Sequence, residues 1–246
     1  MIELILLGLM TGFLSGFFGI GGGTILVPLL LFVGFDTKVA IGISVIQMVF
    51  SSIFGSYLNN KKGTLDVKLV AYIGLGGLVG AQFSGFITSG VSNKNLEFIF
   101  LAFAIFALVR LFMKTHANKK QKTDANPLLL VSIGFVLGVL SMAIGVGGSI
   151  ILTPILVGFF HFPLGKAISA GLFFVVFSSI SGSISHLSQG YVDIMSGLIV
   201  GGASLIGVYY GIMKKDSVSH ALQKKLIVAF YLMVVSYMIY RVLFRG

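Results

Sequence analysis

Apolar residues run along this chain in ten stretches separated by short polar or charged breaks. They are 3–19, 23–34, 39–58, 67–90 and 95–113, then 128–145, 149–160, 167–187, 194–213 and 226–244. Several hold about 20 residues without a charge, the length of a helix that crosses a bilayer core. Transmembrane barrels would instead show short alternating segments, and only helices satisfy every backbone group within one open segment in lipid. The pattern predicts an all-α polytopic membrane protein with about 8–10 membrane segments, some of them short or re-entrant.

The plan repeats. Gly12-Phe-Leu-Ser15 matches Gly138-Val-Leu-Ser141, Gly19-Ile-Gly21-Gly22 matches Gly145-Val-Gly147-Gly148, and Pro28 falls on Pro154, all at a spacing of 126 residues. After a one-residue slip, Phe50-Ser51-Ser52-Ile53 matches Phe177-Ser178-Ser179-Ile180, and Asp66 meets Asp193. Identities in register at this density indicate internal duplication. The expected division is a first repeat over 1–113, a basic cytoplasmic linker over 114–126 and a second repeat over 127–246. If 3–34 is a helical hairpin with both ends on one side, the two repeats are inverted. Placing the linker inside then puts 13 of the 17 Lys and Arg on the cytoplasmic side, leaving Lys38, Lys94, Arg241 and Arg245 outside. Parallel repeats would split them 10 to 7. The positive-inside rule prefers inversion.

The second stretch of each half is too short to span. Residues 24–34 make a helix of about 16 Å at 1.5 Å per residue, roughly half a hydrocarbon core. It follows Gly21-Gly22-Gly23 and carries Pro28; its counterpart follows Gly147-Gly148 and carries Pro154. Paired Gly/Pro-interrupted short segments are the best sequence pointer to a transporter's binding site. A helix beginning inside the membrane presents unpaired N–H groups and the positive end of its dipole, which favour an anion. Glycines let the backbone approach it and form a nest of donors. The expected substrate-binding residues are Ser15, Gly19, Gly21, Gly22, Gly23, Thr24 and Gln47 in the first half. In the second they are Ser141, Gly145, Gly147, Gly148, Ser149 and Ile150. The bland alternative, glycines that only let helices pack closely, weighs less against two copies of GxGG than against a lone GxxxG.

Composition fits and sharpens this. Of 246 residues 57% are hydrophobic and 10% charged, with a mean hydropathy of +1.06, whereas a soluble domain carries about a quarter charged residues. The net charge of +10 does not imply nucleic acid, because the cations sit between apolar runs as topology determinants do. The chain has no cysteine, which excludes disulfides, thiolate metal sites and thiol redox chemistry. Its start, Met1-Ile2-Glu3-Leu4, lacks the form of a cleaved signal peptide. None of the seven acidic residues lies mid-span, and cation carriers need such a carboxylate. No Lys or Arg lies there either, so an anion would rest on backbone dipoles and hydroxyls.

At the two hairpins the sequence resembles the TauE/SafE sulfite exporter family of bacterial and archaeal membrane transporters. The matching text is Gly12-Phe-Leu-Ser-Gly16-Phe-Phe-Gly19-Ile-Gly21-Gly22-Gly23-Thr-Ile-Leu-Val-Pro28 with its second copy at 138–154, and Ala40-Ile-Gly42-Ile-Ser44 resembles the small-residue opening of the next helix. The resemblance covers nearly the whole chain. It implies a multi-pass protein of the cell's inner membrane carrying sulfur-containing or organic anions such as sulfite, sulfonates or sulfoacetate. The second copy departs from the first: it reads Gly147-Gly148-Ser149 where the first has three glycines, and Met142 stands at the place of Gly16.

The reading is a secondary transporter of small anions, not an enzyme and without cofactor, metal or nucleic acid, working by alternating access between the hairpins. Its partners are the anion and the bilayer, with a proton as coupling ion and a homo-oligomer both left open. The alternative is a passive anion or small-solute channel of the same architecture. A hydrolase using Ser15 or Ser141 with His186 would need serine and histidine in hydrogen-bond reach, and no GxSxG elbow is present. His186 is expected at an interface. Gln82, within an apolar run, must find a partner or line a wet cavity. Ser51, Ser52, Ser178 and Ser179 are expected to bond back to their own helices.

Overall fold

The computed structural model describes residues 1–19, 21–65, 67–112, 126–215 and 217–244. The linker expected over 114–126 lies outside them except for Asn126, whose side chain accepts the Leu128 N–H at 2.9 Å and starts the next helix. Eleven helices are described: α1 (Ile2–Phe18), α2 (Gly23–Val33), α3 (Thr37–Lys61), α4 (Val67–Ala81), α5 (Ser84–Gly90), α6 (Asn93–Phe112), α7 (Pro127–Ala143), α8 (Ser149–Gly158), α9 (Leu164–Ser188), α10 (Ile194–Lys215) and α11 (His220–Phe244). No strand occurs among the described residues. Five stretches are long and apolar enough to cross a membrane, Thr37–Lys61, Val70–Gly90, Gly165–Ser188, Ile194–Lys215 and Lys225–Phe244, with α1, α2, α7 and α8 as shorter apolar helices. Large apolar side chains such as Phe32, Phe98, Met195 and Leu243 are exposed along the helices, as lipid-facing surfaces require.

The expected single segment 67–90 is two helices. Gln82 and Phe83 form a turn between α4 and α5, and α9 braces the turn. Ser181 donates to Gln82 Oε1 at 3.1 Å, Ser185 donates to the Gln82 carbonyl at 2.6 Å, and Ser185 accepts the Gly85 N–H at 3.0 Å. The backbone groups freed by the break, costly in lipid, are thereby satisfied from a neighbouring helix.

Helices meet through small residues, as expected where apolar burial gives no preference for helix over lipid. Helix α1 lies along α10 so closely that an ideal Cβ on Gly12 would fall 2.2 Å from the Ser204 carbonyl oxygen. Helix α7 lies along α4 in the same way, Gly138 meeting the Gly77 carbonyl oxygen at 2.5 Å. Gly74 meets the Phe177 ring and Gly201 the Phe50 ring. Each of these contacts recurs with its two members displaced by 126 or 127 residues and exchanged between the chain's ends. Helices α3 and α9 run antiparallel past one another, Gly55 facing Leu172 and Gly182 facing Val45. Gly12, matched to Gly138 in the repeat, is thus a packing residue on the helix before the tip and not part of the tip itself.

Candidate functional site

The two short hairpins, α1–α2 and α7–α8, bring their tips together against the middle of α3 and α9. Each tip turns on glycines in the left-handed region. Gly19 and Gly145 have φ of 68° and 69°, and Gly21 and Gly147 have φ of 74° and 85°, values that a side chain would strain. An ideal Cβ on Gly21 would lie 3.2 Å from Ser149 Oγ and 4.0 Å from the Gly147 Cα, so the tips are in direct contact. Gly19 packs on Ile168 of α9 and Gly145 on Ile41 of α3, each tip resting on the long helix of the opposite half.

Two hydroxyls of the first half clasp the second tip. Thr24 donates to the Val146 carbonyl at 3.3 Å, and Ser44 donates to the Gly145 carbonyl at 3.0 Å. Thr24, expected to offer its hydroxyl to an anion, is therefore spent on the opposite tip in this state. Two further expectations are revised similarly. Ser141 bonds back to the Leu137 carbonyl of its own helix, and the Ser149 N–H is taken by the Gly147 carbonyl at 2.8 Å. Gly22 and Gly148, equivalent in sequence, differ in conformation: Gly22 has φ of −60° and Gly148 of 67°.

The remaining polar groups at the tips are buried and unpaired. Both amide atoms of Gln47 and Ser149 Oγ are three of the eleven such atoms among the described residues, and Ser15 Oγ, on the last turn of α1, is a fourth. Gln47 reaches the first tip, its Oε1 lying 2.3 Å and its Nε2 2.6 Å from an ideal Cβ on Gly22. Tyr231, from α11, brings its hydroxyl within hydrogen-bond reach of Thr24. A buried polar atom without a partner costs about 1–3 kcal/mol, and such atoms at the meeting point of two broken helices make this place the candidate site. The second helices of the two hairpins, α2 and α8, also direct their N-terminal ends and dipoles here. Ile150 is 9% exposed and contributes backbone only as an N-terminal residue of α8.

Around the break the two halves differ. An ideal Cβ on Gly148 meets Phe174, whereas one on Gly22 meets Gln47, and the two residues stand 127 apart. An amide in one half thus faces a phenyl ring in the other. Met48 inserts its sulfur between the tips, 2.9 Å from an ideal Cβ on Gly23 and 2.7 Å from one on Gly147. Met48, Ser44 and Tyr231 were not among the expected site residues. Ser44 was visible only as part of a small-residue stretch, and nothing local marks Tyr231, which lies more than 200 residues from Thr24.

Away from the tips, the interfacial position expected for His186 is incorrect. The side chain is fully buried in α9, with Nε2 3.1 Å from the Met142 carbonyl. Its approach to α7 ends on that carbonyl and not on Ser141, so the serine–histidine pairing that hydrolysis needs is not formed. The four serines Ser51, Ser52, Ser178 and Ser179 bond back within their helices as expected. Glu97, one turn into α6, is buried and bridged: Oε1 accepts from Thr37 at 2.6 Å and from Arg241 Nε at 2.9 Å, and Arg241 also donates to the Leu31 carbonyl. This cluster ties α2, α3, α6 and α11 at their ends, well away from the tips.

Residues 4–238 match the family model described as sulfite exporter TauE/SafE. The chain is 28% identical to a probable membrane transporter protein of Bacillus subtilis over 92% of its own length and 91% of the relative's. It is 30% identical to a probable membrane transporter protein of Methanocaldococcus jannaschii, covering 77% of this chain and 74% of that one. No solved structure is significantly similar. With apolar helices of spanning length and a match across nearly its whole length, the chain is a multi-pass membrane protein that belongs to the sulfite exporter TauE/SafE family of membrane transporters.

Proposed function

We propose that the protein is a secondary transporter of small anions, with sulfur-containing or organic anions such as sulfite, sulfonates and sulfoacetate as its substrates. The observation that carries this reading is the convergence of two broken-helix tips on the buried, unpaired amide of Gln47 and hydroxyl of Ser149, with no ionic side chain beside them. Donors without a fixed cation suit an anion that must be released as readily as it is bound. The substrate named for the family points the same way.

The two halves act as inverted repeats. The antiparallel passage of α3 and α9 supports this, because a two-fold that exchanges two antiparallel spanning helices lies in the membrane plane. Alternating access is then a rocking of one half against the other. The clasp of Thr24 and Ser44 on the second tip opens to admit the anion and closes behind it. Direct contact of the tips argues against the passive channel, which needs a continuous path.

Purified protein in liposomes should take up radiolabelled sulfite saturably, with unlabelled sulfonates, sulfate, chloride and acetate as competitors. Counterflow should follow, since only a carrier exchanges labelled for unlabelled substrate. Gly22→Val and Gly148→Val should abolish uptake while leaving membrane insertion intact. Linear, unsaturable flux without counterflow would replace the carrier by a channel, and full flux in both variants would remove the tips from the pathway.

A further inference from the structure

The orphaned amide of Gln47 bears on the ionisation state of the ligand. Gln47 is wholly buried and neither end of its amide has a partner. The argument does not depend on which atom is nitrogen, because both are unpaired. The group offers two N–H donors and an acceptor oxygen, and it is aimed at the break beside Gly22. A fully deprotonated oxyanion has only acceptors to offer. It would satisfy the N–H groups and leave the carbonyl oxygen buried and unpaired, a loss equivalent to about tenfold in affinity or more.

Charge leads to the same class of ligand. Among the described residues the buried charged side chain is Glu97, held by Thr37 and Arg241. Thr37 precedes Gln47 by ten residues of α3, about 15 Å along the helix axis, so neither Glu97 nor Arg241 reaches the tip. The positive charge available there is that of the two helix N-termini, α2 and α8, about half a unit each. Together they balance one negative charge and leave a second uncompensated in a low-dielectric interior.

We propose that the site selects a singly charged oxyanion that retains a proton, accepting from the Gln47 N–H groups and donating to its Oε1, as hydrogensulfite can. The Ser149 hydroxyl, unpaired across the tip, supplies a second contact of either sense. Acceptor-only monoanions such as simple sulfonates and dianions such as sulfoacetate are discriminated against, which narrows the substrates proposed above to the protonated monoanion of sulfite and its like. This inference rests on the anion-carrier reading above and adds to it the protonation state of the cargo.

The test uses the full chain in liposomes, with protein-free liposomes to subtract passive leak. Labelled sulfite uptake is measured at one fixed pH with methanesulfonate and sulfate as competitors, then across a pH series at constant total sulfite. The expected result is that methanesulfonate and sulfate compete about tenfold or more less well than unlabelled sulfite at a pH where hydrogensulfite dominates. Initial rates should fall as pH rises through the second ionisation of sulfite. Gln47→Met, which keeps the bulk and removes donor and acceptor, should bring methanesulfonate to near parity with sulfite; size-exclusion elution verifies its fold. Saturable uptake in which methanesulfonate or sulfate competes as well as sulfite would overturn this inference and leave the anion carrier standing. Undiminished selectivity in a folded Gln47→Met protein would equally remove Gln47 from the role. Absence of saturable uptake for every anion would instead overturn the carrier reading on which it rests.

Discussion

The hydroxyl of Ser44 donates to the carbonyl oxygen of Gly145 across 3.0 Å, joining the middle of one long helix to the tip of the opposite hairpin. The same carbonyl oxygen lies 2.0 Å from where a Cβ on Gly23 would be. One carbonyl is thus gripped from two elements of the first half, and Thr24 holds its neighbour Val146. The reverse clasp is missing by sequence: 126 or 127 residues on, Thr24 becomes Ile150 and Ser44 becomes Gly171. The tip contact is therefore polar in one direction and apolar in the other.

Gly23→Ala should separate the tips. Its added methyl meets a backbone carbonyl, which cannot step aside as a side-chain end could. Overpacking of this kind costs about 1–3 kcal/mol, and loss of transport should accompany the lowered melting temperature in detergent. Gly202→Ala is the control, because a Cβ there meets nothing within 4 Å in the helix interior. It should be neutral or slightly stabilising through helix propensity. Equal melting temperatures for the two variants would show that the close approach at Gly23 is not maintained in the membrane protein.

Removing the clasp should loosen the tips without unfolding the chain. Ser44→Ala leaves the Gly145 carbonyl buried without its partner, and Thr24→Val does the same at Val146 while keeping side-chain volume. Each hydrogen bond is worth about 0.5–1.5 kcal/mol net, so amide exchange at 145–148 should quicken several-fold in either variant. The bonds share one pair of tips, and the double variant should depart from additivity. Exchange unchanged at 145–148 would show that the packing of Gly21 on Ser149, and not the hydroxyls, holds the tips.

Much of this was readable from spacing. Short Gly-interrupted segments at matching positions located both tips, because a helix that starts inside a membrane needs glycine before it and cannot be long. The break at Gln82 was not readable, since its rescue depends on Ser181 and Ser185 a hundred residues away. Hydroxyl roles were harder still. Thr24, Ser141 and Ser149 look alike in sequence, yet one clasps, one bonds to its own helix and one is unpaired. That difference follows from which carbonyl lies within reach, a property of the opposite half. His186 misled for a related reason: it sits near a segment end in sequence, where α5 and α7 happen to cover α9.

The Glu97–Arg241 bridge should behave as one unit. Glu97 is 4% exposed and Arg241 17% exposed, so the pair is largely, though not wholly, withdrawn from water. Truncating either partner leaves the other charge buried, with a cost approaching the 3–5 kcal/mol typical of buried pairs. Glu97→Ala combined with Arg241→Ala should then cost much less than the sum of the single changes. Thermal unfolding of the four proteins in detergent supplies the cycle, and strict additivity would mean that Thr37 and the Leu31 carbonyl, not the ion pair, account for the anchoring.

A second electrostatic feature lies outside the spans, where pH can reach it directly. Asp193 immediately precedes α10 and accepts the Ser196 hydroxyl at 2.7 Å and the Ser196 N–H at 3.0 Å. Those bonds, the hydroxyl's foremost, hold its carboxyl below the usual carboxylate range. The folded state therefore binds the proton less readily than the unfolded chain. The contribution to stability is present above the ordinary aspartate value of about 3.9 and is lost as pH falls through the lowered one. Asp193→Ala should cost about 1 kcal/mol at neutral pH, the usual worth of a helix cap. Asp193→Asn can still accept the Ser196 N–H but does not titrate, so its deficit against the native chain should shrink as the solution is acidified below about pH 4. A deficit that is constant across that range would show that the carboxylate's charge adds nothing to the start of α10.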